Sequence, residues 1–315
     1  MHASLFTAFG PPEVLRWTEL PEPVPGPDEV VVKVVAATVN PTDLMMRSGE
    51  QAGYMGDLKP PYICGQEFSG HVHALGGPSS RLKVGQPVIG IVHPRRPKGG
   101  AYTQYVCVPE ASVVAAPEGV DLVDAATIPM NGLTARVALN ALALSRGAVL
   151  LVTGGPGALG GYAIQLASDA GIVVVADANE NDRELLLRLG AHDVVPRGPG
   201  MAAAVRAKHP AGVDGLVDAA LLGDEAAALV KDGGGVAAVR RAQQFDAHNT
   251  KRLRITHVGV MDDITNTEAI QWIADRARRK VLTPRVAHRI PMSEASKAHR
   301  LVEQGGFRGR VVLVA

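Results

Sequence analysis

Short apolar runs, each bounded by Pro or Gly, dominate roughly the first 120 residues of the chain. The clearest of these runs are rich in Val and Ile and lie at residues 30–35, 88–92 and 105–108. Runs of this length between turn residues are typical of strands in a β structure. We therefore predict a compact, partly open β-barrel with irregular loops for this part of the chain.

From about residue 123 onward, apolar strand patterns alternate with helical patterns. The strand patterns lie at 149–152, 172–175, 193–195, 213–217, 236–239 and 255–260, and the helical patterns at 124–144, 159–169 and 182–189. This alternation predicts βαβ units and a parallel sheet, so the fold class is α/β. A final helix at 294–304 and a strand at 310–314 complete the pattern.

Length and composition narrow the classes of function. The 315 residues suffice for about two domains, and a net charge of +1 gives no basic surplus for nucleic acid. Apolar stretches are all shorter than the ~20 residues of a membrane helix, and the first residues lack a signal-peptide pattern. Cys64 and Cys107 are the only cysteines, which excludes a disulfide scaffold. We expect a cytoplasmic protein with neither nucleic-acid nor membrane partners.

A glycine-rich segment follows the strand at 149–152 and precedes the helix at 159–169. It places Gly155, Gly157 and Gly160 in the Gly-x-Gly-x-x-Gly spacing of a dinucleotide-binding loop, between Thr153 and the helix start at Ala158 and Leu159. Such glycines permit a tight turn, close approach of a diphosphate, and close helix packing. We expect these residues to bind the diphosphate of NAD(P)H, partly through the N–H groups of the helix start.

Asp177 ends the next strand, 20 residues after Gly157. A carboxylate at this position is placed to accept hydrogen bonds from the adenosine ribose. The same loop also spells the Thr-Gly-x-x-x-Gly/Ala-x-Gly pattern of short-chain dehydrogenases. That alternative fails because Tyr162 is the only later tyrosine and no Lys follows it at the catalytic spacing.

Taken in order, several segments of the chain resemble the medium-chain dehydrogenase/reductase superfamily, and most closely its zinc-independent quinone oxidoreductase branch, which is zeta-crystallin-like. The segments that carry the resemblance are 10–15, 37–43, 61–70, 84–90, 99–105, 124–129, 132–135, the glycine loop and 307–313. The resemblance implies a GroES-like domain at 1–122, to which 285–315 return, and a Rossmann doubly wound domain at 123–284. It also implies a homodimer that pairs edge strands at about 254–260.

The resemblance also bears on metal. Zinc-dependent relatives hold zinc with a Cys, a His and a later Cys, and the corresponding positions here are Asn40, Gln66 and about Met130. Neutral amides and a thioether are poor ligands for Zn²⁺. We therefore expect no metal and a reaction that needs no Lewis acid, namely hydride transfer from NAD(P)H to a quinone or an α,β-unsaturated carbonyl.

Candidate catalytic residues are implied by the resemblance. Asn40 and Asp43 lie in the segment that forms the active-site loop in the family, with Asn40 a neutral donor near the nicotinamide. Thr134 resembles the residue that touches the nicotinamide carboxamide. A tyrosine common in this loop is replaced by Met45, so Tyr54 is the nearest phenol and the candidate proton donor or substrate lid.

Two alternatives remain open at this point: a 2-enoyl thioester reductase, and a nucleotide-binding protein with little turnover. The substrate is expected to be a small apolar carbonyl compound or quinone. The cofactor preference is divided, because Asp177 modestly favours NADH whereas the family resemblance favours NADPH.

Overall fold

The computed structural model describes residues 1–78, 80–240 and 242–315, and the chain divides into two units. The first unit comprises Met1–Met130, Met261–Lys280 and Pro284–Ala315, and the second comprises Asn131–Val260 and Val281–Thr283. Each unit has its own apolar core. The domain boundaries inferred from the sequence stay a prediction about which segments fold independently.

The first unit is mainly β. Its strands are β1 (His2–Phe6), β2 (Arg16–Glu19), β3 (Glu29–Thr38), β4 (Tyr62–Ile63), β5 (Glu67–Leu75), β6 (Pro87–Ile91), β7 (Tyr105–Pro109), β8 (Val113–Ala115), β15 (Val286–Pro291) and β16 (Arg310–Val314). They form a three-stranded sheet, β2-β1-β4, and a seven-stranded sheet, β15-β16-β3-β5-β6-β8, in which β7 also pairs with β3. The accompanying helices are α1 (Pro41–Ser48), α2 (Leu122–Ala125), α9 (Thr267–Arg278) and α10 (Ala295–Gln304), and short 3-10 turns fill several connections.

The long strand β3 organises the first unit because it is buried along most of its length and is paired on both sides. Its last residues, Ala36–Thr38, pair antiparallel with β16, so that Thr38 lies opposite Val312. On the other side, Ala37 lies opposite Phe68, one residue beyond Glu67. This register brings the end of β3 and the starts of β5 and β16 to one place.

The second unit is a parallel sheet with helical connections. Its strands are β9 (Val149–Thr153), β10 (Val173–Ala178), β11 (Asp193–Pro196), β12 (Val213–Asp218), β13 (Val230–Ala238) and β14 (Arg254–His257), in the order β11-β10-β9-β12-β13-β14. Its helices are α3 (Pro129–Leu142, which begins at the end of the first unit), α4 (Ala158–Asp169), α5 (Arg183–Arg188), α6 (Met201–Lys208), α7 (Asp224–Ala227) and α8 (Ala247–Arg252).

Parallel pairing aligns the carboxyl ends of these strands. Asp218 lies opposite Thr153, and Asp177 lies opposite Val195. In open parallel sheets this edge is where ligands bind. The predicted α/β class, with a GroES-like β unit and a Rossmann-type unit, is confirmed. Among the described residues, no helix has the length and apolar character needed to cross a membrane.

Candidate active site

A buried polar cluster lies where β3, β5 and β16 meet. The Glu67 carboxylate is fully buried, and its Oε1 accepts hydrogen bonds from the Arg310 guanidinium (2.8 Å), from the Asn40 amide (3.2 Å) and from the Thr38 hydroxyl. Its Oε2 accepts from the Met130 N–H at 2.7 Å. A buried carboxylate needs such partners, because an unpaired one would cost several kcal/mol (about 3–5). We refer to Thr38, Asn40, Glu67 and Arg310 as the Glu67 cluster.

Asn40 follows β3, and both polar atoms of its side-chain amide are engaged. Its Oδ1 accepts from Arg310 Nη2 at 2.9 Å, and its Nδ2 donates to Thr38 Oγ1 at 3.3 Å and to Glu67 Oε1 at 3.2 Å. These contacts orient the amide, since the guanidinium identifies its oxygen and the carboxylate identifies its nitrogen. The part predicted for Asn40 beside a nicotinamide stays a prediction.

Asp43 ties the start of α1 to the loop that precedes β5. One carboxylate oxygen accepts the Asn40 N–H at 2.9 Å and the other accepts the Gly65 N–H at 2.8 Å. Burial raises the pKa of the Asp43 carboxyl to about 6, although these two N–H groups oppose the rise. Asp43 is fully buried, so its visible work is to hold the loop that carries Asn40.

Tyr54 ends a short 3-10 turn, Ala52–Tyr54, and 68% of it is exposed. Beside it, Gln51 accepts a hydrogen bond from Arg95 Nη1 at 2.7 Å. The phenol therefore stands free of the apolar core, as a proton donor or substrate lid would. Its catalytic part remains a prediction.

The three positions that correspond to zinc ligands in related enzymes do not fit that metal. The Asn40 amide is held in the Glu67 cluster, the Gln66 amide donates to the Thr42 hydroxyl, and Met130 offers only a thioether. Zn²⁺ sites in proteins are built from thiolate, imidazole and carboxylate. Within residues 1–78, 80–240 and 242–315, no group of three or more His, Cys, Asp or Glu side chains could hold a metal ion.

A separate cavity of about 780 Å³ lies in the first unit. Its walls combine apolar residues such as Leu58 and Ile63 with the cations Arg95, Arg96 and Lys98. None of the predicted catalytic residues lines it. It is therefore distinct from the Glu67 cluster.

In the second unit, the glycine loop connects β9 to α4 as predicted from the sequence. A Cβ atom at Gly160 would lie 2.3 Å from the Gly154 carbonyl oxygen, and one at Gly155 would lie 2.8 Å from a methyl group of Leu186. Both positions therefore require glycine. Gly157 is exposed and caps α4 without a side chain, which leaves the first N–H groups of the helix available to an anion.

The loop thus fits the diphosphate of a dinucleotide. Ala158 and Leu159, in the first turn of α4, are half-buried and can be approached from solvent. Thr134, on α3 of the same unit, is likewise half-buried. The assignment of these residues to cofactor binding stays a prediction.

Thr153 is fully buried and serves the loop that follows β12. Its hydroxyl donates to Asp218 Oδ1 at 2.6 Å and accepts from the Ala220 N–H at 3.0 Å. Asp218 in turn accepts from the Leu222 and Gly223 N–H groups. With its hydroxyl already engaged, Thr153 can offer a cofactor its backbone more readily than its side chain.

Asp177 lies at the end of β10 and faces inward, with 1% of its side chain exposed. Its Oδ1 accepts from the Gly154 N–H at 2.6 Å and, more weakly, from the Gly155 N–H at 3.4 Å. Its Oδ2 accepts from Arg197 Nε at 2.8 Å. Arg183, the first cation after Asp177 in the sequence, instead donates to the Val194 carbonyl.

Three participants in these sites were not among the predicted site residues: Glu67, Arg310 and Arg197. A charged residue at the head of the apolar strand 310–314 was a usable signal for the first pair. For Arg197 the signal was its place directly after the strand at 193–196, which parallel pairing aligns with the end of β10.

Comparisons with known proteins agree with this architecture. Residues 26–118 match the family described as alcohol dehydrogenase GroES-like domain, and residues 189–313 match the family described as zinc-binding dehydrogenase. The chain is 31% identical over 205 residues to a chloroplastic quinone-oxidoreductase homolog of Spinacia oleracea, across 62% of this chain and 60% of that protein. It is 30% identical over 243 residues to a 2-methylene-furan-3-one reductase of Solanum lycopersicum, across 75% and 61%.

The chain therefore spans about three fifths of the length of these two curated relatives. A solved mycobacterial structure, determined in complex with NADPH, is similar over the whole of both chains, with a TM-score of 0.86 and 27% identity.

Proposed function

Because the chain belongs to the medium-chain dehydrogenase/reductase superfamily, we propose that it is an NAD(P)H-dependent, zinc-independent reductase of quinones or α,β-unsaturated carbonyl compounds. One observation carries the proposal. Where a zinc enzyme has a thiolate, this chain has the Asn40 amide, oriented by Arg310 and Glu67. The names of the spinach and tomato relatives, a quinone-oxidoreductase homolog and a furanone reductase, support the same class of acceptor.

Such acceptors need no metal, because conjugation spreads the negative charge that develops when a hydride is added. NAD(P)H, when bound, supplies that hydride from its nicotinamide ring. The residues of the glycine loop, from Gly155 to Gly160, hold the diphosphate. What remains for the first unit is to hold the acceptor and to donate a hydrogen bond to its oxygen.

Asn40 is suited to that donation. Its Nδ2 carries two protons, and its two acceptors, Thr38 Oγ1 and Glu67 Oε1, are themselves hydrogen-bonded to each other. A single proton directed between them leaves the second for the enolate oxygen of the reduced substrate. Arg310 and Glu67 prevent the amide from flipping, so it presents nitrogen rather than oxygen to the substrate.

The reduced acceptor also needs a proton from solvent or from an acid. We propose Tyr54 for this step or for closing over the substrate, since its phenol is exposed at the end of its turn. The balanced reaction consumes one NAD(P)H and one proton for each two-electron reduction of the acceptor.

The proposal is tested by oxidation of NADH and NADPH, followed by loss of nicotinamide absorbance, with 1,4-naphthoquinone, simple enones and a 2-enoyl thioester as acceptors. Asn40→Ala should lower kcat by about 10²-fold or more, the loss seen when an oxyanion donor is removed. Asn140→Ala, an exposed asparagine on α3, is the matched control and should match the parent. Tight nucleotide binding without turnover of any acceptor would contradict the proposal and favour a binding protein.

We also propose a homodimer formed through β14. Among the described strands, β14 pairs only with β13 and so ends the sheet with one open edge. Pairing with a second copy would satisfy that edge. Sedimentation at micromolar concentration should give twice the mass of the 32.9 kDa chain, and a monomer mass would contradict this.

A reducing compartment, the cytoplasm, is our proposal for the location. Cys64 and Cys107 are both buried and form no disulfide. Fractionation of cells that express the native chain tests the location directly.

A further inference from the structure

The ion pair between Asp177 and Arg197 lies at the carboxyl edge of the parallel sheet, two residues beyond the last paired strand positions of the glycine-loop strand's neighbours. We propose that Arg197, positioned by Asp177, forms a binding site for the 2′-phosphate of NADPH. The inference rests on the proposed use of a nicotinamide cofactor, and it names the residue that selects between the two forms of that cofactor.

The Asp177 carboxylate is largely used up within the protein. Its two oxygens receive the Gly154 and Gly155 N–H groups and the Arg197 guanidinium. Only 1% of the side chain is exposed. An expectation that Asp177 binds the ribose hydroxyls, and hence favours NADH, requires an accessible carboxylate. The structure shows one that is covered.

Arg197 presents the complementary picture, since 40% of its side chain is exposed. Only its Nε is used, in the contact with Asp177. Within residues 1–78, 80–240 and 242–315, neither of its terminal nitrogens makes a hydrogen bond or ion pair that competes with a ligand. A guanidinium held at Nε keeps two terminal nitrogens in one plane, the geometry that binds phosphate with two parallel hydrogen bonds.

The local charges favour this arrangement. Asp177 is neutralised by its own partner, so its charge no longer repels a phosphate at close range. Glu180 is exposed three residues later, and Arg183 is an exposed cation beside it. The parallel register fixes the geometry, because Asp177 and Val195 lie opposite each other and Arg197 follows two residues on.

A binding measurement on the full-length protein tests the site without requiring turnover. Isothermal titration with adenosine 2′,5′-bisphosphate and with 5′-AMP isolates the contribution of the 2′-phosphate. The parent should bind the bisphosphate about 10- to 100-fold more tightly, the range of one charge-assisted phosphate contact. Arg197→Ala should abolish that difference while 5′-AMP affinity is kept.

Two further variants guard against a structural artefact. Arg197→Gln keeps a neutral donor for Asp177 and should lose the 2′-phosphate preference as Arg197→Ala does. Arg188→Ala removes an exposed arginine that pairs with Glu184 on α5, and it should behave like the parent. The ratio of kcat/KM for NADPH to that for NADH should follow the same order.

A parent protein that binds 5′-AMP as tightly as the bisphosphate would overturn the inference. Equal loss of both ligands in Arg197→Ala and Arg197→Gln would also overturn it, because the ion pair would then be structural only. Failure of the proposed reductase activity has a different signature, since the two adenosine nucleotides would still be discriminated while no acceptor is reduced.

Discussion

His299 provides the sharpest test of how burial governs the electrostatics of the first unit. It lies in α10, fully buried, with Nε2 at 3.3 Å from the Tyr102 hydroxyl. Its Nδ1 has no hydrogen-bond partner among the described residues. Burial, with the charge of Arg47 as a second cause, lowers the pKa of His299 to about 3.

The sign of the effect on stability follows from that shift. Below the unfolded pKa of ~6.5, the unfolded chain binds a proton that the folded protein does not take up until pH approaches 3. The stability due to neutral His299 is thus fully present above the unfolded pKa and is lost as pH falls. From about pH 7.5 to about pH 5 the loss is roughly 2 kcal/mol, since each pKa unit is worth ~1.4 kcal/mol.

Asp43 acts in the opposite direction and partly hides this loss in the parent. Its pKa is raised from 3.8 to about 6, so its folded form binds a proton more readily than the unfolded chain does. That contribution stabilises the protein below about pH 4 and is lost as pH rises toward 6. At about pH 5 it amounts to roughly 1.4 kcal/mol. A variant is therefore needed to isolate His299.

The test is urea unfolding of the parent and of His299→Leu at about pH 7.5 and about pH 5. On going to the lower pH, the free energy of unfolding should change by about 2 kcal/mol more favourably in the variant than in the parent. His248→Leu, at an exposed position on α8, should leave the parent's pH dependence unchanged. If His299→Leu also leaves it unchanged, His299 is not held neutral by burial and the reasoning fails.

Three further outcomes follow from the geometry. Arg310→Met should lower the free energy of unfolding by about 3–5 kcal/mol in urea, and neutralising its carboxylate partner in the same chain should recover most of that loss. Gly160→Ala should abolish nucleotide binding in a titration, because its Cβ would meet the Gly154 carbonyl oxygen, whereas Gly53→Ala, with open space around it, should bind normally. Elemental analysis of untagged protein should find no stoichiometric zinc, and one bound equivalent would contradict the donor-set argument.

Elements with strong local patterns could be predicted closely from the sequence. The apolar run at 310–314 is β16 with the same bounds, and the helix predicted at 159–169 is α4, Ala158–Asp169. These segments bury one continuous face or both faces, so their periodicity alone specifies them. The helices α1 and α9 were not predicted, and their surroundings rather than their composition distinguish them.

One predicted helix, 124–144, is two helices, α2 and α3. The break comes directly before Pro129, the first residue of α3. Proline has no N–H and disfavours helical geometry in the residue before it, so it begins a helix far better than it continues one. The sequence contained this information, but the apolar periodicity on both sides concealed it.

The contacts within the sites were harder to predict, because they depend on strand register between distant segments. Glu67 meets Arg310 across 243 residues, and Asp177 meets Arg197 across 20. A search for cations near Asp177 in sequence finds Arg183, which turns away to a backbone carbonyl. Proximity in a parallel sheet follows from which strands are neighbours, and the periodicity of single strands does not contain that information.

The way β16 completes the sheet of the first unit has a consequence for the order of folding. Ala36–Thr38 waits for a strand that lies 272 residues later, at the Thr38–Arg310 contact, whereas all strands of the second unit come from residues 149–257. Closing a loop of that length is slow, while nearby strands pair early. During synthesis, the nucleotide unit can therefore fold while the first unit still has an open strand edge and a Glu67 without its cation. A ribosome-bound chain halted before residue 310 should combine a protease-resistant second unit with a first unit that chaperones recognise.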